Sequence, residues 1–188
     1  MHASPEYQQW FDHLSGLVGG ETSVHAYRDD SEENSINIFR SVNAEGSLFA
    51  TIGLMEIDQS KNPALRVASE VLMDCRGNDE NVGNILSTIA FFIMKNGWRI
   101  APRVVFEDLV AMYFPGHHLP HVMFVSPFQW RTEMTKVEVV GKFIYPLVAI
   151  PISEAERTFS ASHPDRALEH LWESKHIDVL NWARPSAA

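Results

Sequence analysis

Residues 80–96 read ENVGNILSTIAFFIMKN. Val82, Ile85, Leu86, Ile89 and Ile93 recur at helical spacing and make one apolar stripe, which Phe92 widens. Phe91 and Met94 leave few polar positions in the second half, so that half is expected to be covered on more than one side. Asn96-Gly97 supplies a stop signal. The stripe predicts a helix lying on a sheet that includes strands near 65–74 and 137–150.

Upstream, 65–74 (LRVASEVLMD) alternates. Leu65, Val67, Val71 and Met73 point one way and Arg66, Glu70 and Asp74 the other, which predicts a half-buried strand with a polar outer face. Ala68 and Leu72 dilute that second face. Three earlier runs also read as strands: 23–28 (SVHAYR), 35–40 (SINIFR) and 47–55 (SLFATIGLM). Polar turn-formers at 29–34 (DDSEEN) and 43–46 (NAEG) separate them. A first helix opens the chain, with Ser4 as its cap and Pro5 at its first position. Tyr7, Trp10, Phe11, Leu14 and Val18 follow helical spacing until Gly19-Gly20.

Downstream, 121–126 (HVMFVS) and 137–150 (VEVVGKFIYPLVAI) read as strands apolar on both faces. Pro146 lacks a ladder donor and so predicts a bulge or an edge. Ser153 and Glu156 stand at capping-box spacing ahead of a helix. A further helix is expected near Pro164, burying Leu168, Leu171 and Trp172. Strands, one central helix, more strands and terminal helices amount to an α+β fold in one globular domain.

The chain has 188 residues, 45% hydrophobic and 21% charged, a balance that excludes disorder. No apolar run is long enough to span a membrane, and MHASPEYQQW has neither the basic stretch nor the apolar core of a secretory signal. A cytoplasmic location is therefore expected, and the single Cys75 cannot form an internal disulfide. Against 15 basic residues stand 24 acidic ones, a net charge of −9. That field repels phosphate backbones and favours a basic protein over nucleic acid as partner. Solubility alone is the ordinary explanation of such a charge.

Little here assembles an active site. His117, His118 and His121 form the one histidine cluster, in PGHHLPHVMF, without a cysteine or carboxylate inside the segment. Adjacent histidines point apart in extended structure, so no metal and no cofactor are expected. Cys75 lies between Asp74 and Arg76, but a nucleophile also needs a histidine held beside it. No GxSxG, HExxH or glycine-rich phosphate loop is present.

Several pieces carry a family resemblance. In order they are TIGLM at 51–55, SEVLMD at 69–74, NILSTIAFFIMKNG at 84–97, LPHVMFVSPFQW at 119–130, YPLVAIPISEAE at 145–156 and IDVLNWARPS at 177–186. The chain from about residue 47 onward resembles the Suppressor of Fused domain family, while residues 1–46, a helix and first strands, carry little of the pattern. The matching positions are His121, Pro127, Pro151, Ser153, Glu156, Asp178 and Arg184, and each has a folding role as its simplest explanation. Ser153 and Glu156 make a capping box, Pro151 sets the approach to the helix, and Arg184 is expected to pair with Asp178.

The resemblance implies a mixed α/β fold without enzymatic activity. In animals the family member sequesters Gli transcription factors, whose peptide adds as a strand in a cleft between two domains; one domain's worth of sequence leaves that cleft incomplete here. Short bacterial relatives look like immunity proteins, antitoxins that neutralise a toxin encoded beside them. A protein partner, a basic toxin, is accordingly expected. Glu70 and Asp74 would offer it charge, and Phe128 and Trp130 are hot spots by residue type. Asp58 either marks an exposed edge at 55–58 before the polar turn 59–63 or, with Lys61, merely solvates that turn. The other readings are a metal-assisted hydrolase using the histidine segment and an oligomeric scaffold.

Overall fold

The computed structural model describes residues 4–60, 62, 66–163 and 166–188, the side chains of Arg131 and Thr132 excepted. Helix α1 (Pro5–Leu17) starts where the Ser4 hydroxyl accepts the Tyr7 amide at 3.2 Å. Strands β1 (Glu21–Arg28), β2 (Ser35–Val42), β3 (Ser47–Ile52) and β4 (Val71–Cys75) follow, then α2 (Asn81–Asn96) and β5 (Val105–Phe106). After β6 (His121–Val125) and a short α3 (Arg131–Met134) come β7 (Val137–Val139), β8 (Lys142–Ile144) and β9 (Leu147–Ile152). Helices α4 (Glu154–Ser162) and α5 (Ala167–Ser174) lead into an irregular C-terminal segment. No helix among the described residues is long and apolar enough to cross a membrane.

Seven strands form one mixed sheet in the order β1-β2-β3-β4-β9-β6-β5, and β7 with β8 makes a separate hairpin. All neighbours pair antiparallel except β4 with β9, whose parallel ladder is Val71↔Leu147 and Leu72↔Val148. Alternation distributes each central strand between two cores. On one face Ile38, Phe49, Val71, Met73, Phe124 and Ala149 meet the α2 stripe of Ile85, Ile89 and Ile93. On the other Phe39, Ala50, Leu72, Met123 and Val148 meet Trp10 and Leu14 of α1, Val137 and Val139 of the hairpin, and Leu168 and Trp172 of α5. Trp10 is fully buried and donates its indole N–H to the Thr51 carbonyl at 2.9 Å, tying α1 to β3. Gly97 closes α2 in the left-handed region at φ 63°, its amide reaching the carbonyls of Phe92 and Ile93.

The α+β architecture expected from the sequence is the one observed, with four corrections. First, the strand read across 65–74 is only Val71–Cys75; its proposed start at Leu65, like the helix start at Pro164, lies outside the described residues. The Asp58 carboxylate accepts the amides of Ser60 and Val67, and the Gln59 amide donates to the Val67 carbonyl, so the chain loops before it enters the sheet. Second, 137–150 is three strands, not one. Pro146 marks the break between β8 and β9, and β9 is central rather than an edge. Pro151 is tolerated in β9 because the β4 ladder stops at Val148, short of it.

Third, 55–58 is no edge. Leu54–Glu56 is a 3-10 turn with Leu54 and Met55 buried, and the free edge of this half of the sheet is β1. Fourth, Glu70 is not on a polar surface. It is fully buried, and its carboxylate organises that turn: Oε1 accepts the amides of Gly53 at 2.8 Å and Met55 at 3.0 Å, and Oε2 accepts the Thr51 hydroxyl. It cannot serve as a charge at the rim of an interface.

Burial pushes the Glu70 carboxyl up from 4.5 to about 7, against the opposing hydrogen bonds from Thr51 and the turn amides. An acid whose folded pKa is raised contributes stability at low pH that is lost as pH rises through the folded value. Glu70→Gln is expected to flatten the pH dependence of urea unfolding between about 4.5 and about 7, a span in which this group costs up to about 3 kcal/mol. Identical pH slopes for the two proteins would contradict this account of Glu70.

Candidate functional site

Three segments converge at the C-terminal end of β4: its last residues Asp74 and Cys75, the loop 126–130 after β6, and the tail beyond α5. The Asp74 carboxylate accepts from the Gln129 side-chain amide at 3.1 Å, and the Asp74 carbonyl accepts the Trp182 indole N–H at 3.3 Å. The Arg76 amide donates to the Leu180 carbonyl at 3.1 Å, while its guanidinium pairs with Asp178 at 3.0 Å. Burial raises the Asp74 carboxyl above its ordinary range, against the hydrogen bond from Gln129. Tail and sheet are thus joined by backbone and side-chain bonds, which makes the surface stiff.

Two cavities flank this junction. One, of about 590 Å³, is lined by Leu17, Val18, Leu48, Asp74, Gln129 and Trp130 among others. The second, of about 520 Å³, lies between Phe128, the outer side of α5 with Glu169 and Trp172, and the tail at Ile177 and Asp178. Phe128 and Trp130 each pack part of their rings on the core and leave part accessible, a stance that suits a binding hot spot.

Of the residues singled out by sequence, Asp74, Phe128, Trp130 and Asp178 come together here. Glu70 does not, being in the core, and Asp58 belongs to the loop before β4. There it caps the Ser60 and Val67 amides, which hold its carboxyl below the usual range. Gln129, Arg76 and Glu169 were not singled out from sequence, and Trp172 was read only as a buried position of the last helix. Gln129 had one signal, its position between two aromatic residues.

The remaining motif residues brace the fold. The capping box is complete: the Ser153 hydroxyl accepts the Glu156 amide at 3.0 Å, and the Glu156 carboxylate accepts the Ser153 amide at 2.9 Å. Arg184 does not pair with Asp178. It is buried against Glu156 at 2.7 Å, and Asp178 goes to Arg76. Pro127 is buried, and the Pro151 carbonyl accepts from Arg184 at 3.0 Å. His121 accepts the Asp108 amide on Nδ1 at 2.9 Å, which leaves Nε2–H to donate to Glu154 at 2.9 Å.

His117 and His118 do not diverge as expected but stack, with centroids 4.9 Å apart. His117 Nδ1 accepts the Leu119 amide, and His118 Nε2 bonds the Arg184 carbonyl at 2.7 Å. Among the described residues no three His, Cys, Asp or Glu side chains converge as a metal site. Burial pushes the Cys75 thiol up to about 11, so the nucleophilic thiolate is strongly disfavoured.

Comparison with known proteins agrees with this architecture. Over 177 residues the chain is 33% identical to Immunity protein YqcF of Bacillus subtilis (strain 168), covering 91% of each protein. The crystal structure of a suppressor of fused homologue from Neisseria gonorrhoeae FA 1090 superposes with a TM-score of 0.76 at 15% identity, covering 99% of this chain and 98% of that one. A chain of the Sufu–Fu complex crystal structure gives 0.65 at 10% identity over 99% and 93%. The family model described as Suppressor of fused protein (SUFU) matches residues 32–185, from the turn before β2 almost to the last residue, and the chain belongs to that family.

Proposed function

We propose that this chain is a non-enzymatic immunity protein that sequesters a protein partner on the surface around Asp74, Phe128 and Trp130. The observation that carries the reading is the 33% identity to an immunity protein along 91% of both chains. The geometry is compatible with it. Two open cavities flank a braced junction, accessible aromatic rings stand between them, and the one thiol is held in its unreactive form. That a chain with this fold occurs in the Sufu–Fu complex supports holding another protein as a use of the architecture.

The net charge of −9 favours a basic toxin through electrostatic steering, which acts mainly on the association rate. The test is co-expression with the product of the reading frame beside this gene, which this reading requires to be toxic when expressed alone. Growth should be restored, and a stoichiometric complex should elute together in gel filtration. Restored growth without any complex would favour an enzymatic antidote and overturn the reading.

A further inference from the structure

We propose that strand β1 is a homodimerisation edge, pairing antiparallel with β1 of a second copy so that the two seven-stranded sheets become one.

The two ends of the sheet are unlike. At one end β5 is only Val105–Phe106, too short to template another strand. At the other, β1 is regular from Glu21 to Arg28, each residue in register with β2, and neither a proline nor a bulge blunts it. Its charged residues, Glu21 and Arg28, stand at its ends, and the stretch TSVHAY between them carries no charge while His25 is neutral.

The backbone is set for pairing. The Asp29 amide donates to the Asn34 carbonyl at 3.1 Å, so by alternation Tyr27, His25 and Ser23 turn their backbone groups toward β2. Thr22, Val24 and Ala26 turn theirs outward, where no further strand lies among the described residues. The side chains divide in the same way. Tyr27 packs on the α2 core with its hydroxyl against Gly83, whereas Val24 and Ala26, on the face of Phe39, are exposed, Val24 by 44%.

The occupant is a second copy because the strand complements itself in one register. A two-fold axis normal to a sheet requires some residue to face its own twin, since directly opposed side chains share a face. With Val24 on the axis, Val24 meets Val24, Thr22 meets the small Ala26, and Ser23 meets His25. The outward amides and carbonyls of Thr22, Val24 and Ala26 then bond one another, and Glu21 faces Tyr27 rather than an acid. An axis at His25 would set Glu21 against Asp29, and one at Ala26 would set Val24 against Arg28. Strands β2 and β3 separate this edge from β4, so the pairing leaves the Asp74 surface open on both copies.

Sedimentation equilibrium of the intact protein should show a monomer–dimer equilibrium with a dissociation constant on the order of 10 μM. Association should tighten as salt rises, because each copy carries a net charge of −9. Hydrogen exchange should find the Thr22, Val24 and Ala26 amides protected in the dimer and fast on dilution. Val24→Lys sets two ammonium groups face to face on the axis and should weaken dimerisation at least about tenfold at an unchanged melting temperature. Val24→Pro removes an amide that makes no bond to β2, and should do the same.

A wild type that stays monomeric well above that concentration would overturn the proposal, including one whose β1 amides become protected only when a different protein is bound. So would a dimer that both variants leave intact.

Discussion

Replacing Arg184 with methionine should cost about 3–5 kcal/mol of folding stability, the penalty for leaving a buried charge without its partner. Arg184 is 3% exposed and Glu156 is fully buried. The guanidinium bonds both Glu156 oxygens, at 2.7 and 3.1 Å, and also donates to the carbonyls of Pro151 and Pro185. Glu156 additionally accepts the amides of Ser153 and Ala187 and the Trp172 indole N–H. One ion pair therefore ties together the end of β9, the start of α4, α5 and the C-terminal tail.

Burial pushes the Glu156 carboxyl up, but Arg184 and the hydrogen bonds outweigh it and leave the group below its ordinary range. A lowered folded pKa contributes stability above the unfolded value, lost as pH falls through the folded one. Arg184→Met should remove that contribution at neutral pH and leave a protein that is more stable in mild acid than at pH 7. Urea unfolding at the two pH values reads both effects. A loss under about 1 kcal/mol at pH 7 would contradict the clamp, and Glu156→Leu combined with Arg184→Met should recover much of the loss.

Ile89→Ala should cost about 2–5 kcal/mol, the range for emptying a large side chain from a close-packed core. Ile89 is fully buried at the centre of the α2 stripe, in the cluster that includes Val71, Met73 and Phe124 of the sheet. A loss well below 1 kcal/mol would mean that the helix does not cover the sheet at this point. Chemical denaturation with an unchanged slope isolates the effect from changes in the unfolded ensemble.

The elements that sequence reveals are those whose signals are local. The α2 stripe, the Ser4–Pro5 start and the Ser153/Glu156 box each depend on spacings within one or two turns, and each lies where the spacing places it. Glu70 was misread because a carboxylate in an alternating run looks the same whether it faces water or a ring of amides. Only the fold brings the Gly53–Met55 turn to it. The partner of Arg184 was misread for the same reason: Asp178 is six residues away in sequence, whereas Glu156, 28 away, is the one the tail reaches. At the candidate site, Asp74, Phe128 and Trp130 were legible by residue type. Their convergence was not, nor was the second cavity, because Glu169 and Trp172 read simply as positions on an amphipathic α5.

The proposed grip on a protein partner lies at the Asp74–Trp130 surface. Its most direct test is calorimetric titration of the partner recovered by co-expression with the wild-type protein and with the Asp74→Lys, Trp130→Ala double variant. A one-to-one complex with the wild type, weakened by at least about a hundredfold in a variant of unchanged fold, is the predicted result, since loss of an anchoring aromatic and a reversed charge together remove about 3 kcal/mol or more. Binding of equal strength by a folded double variant would place the interface elsewhere and contradict the claim.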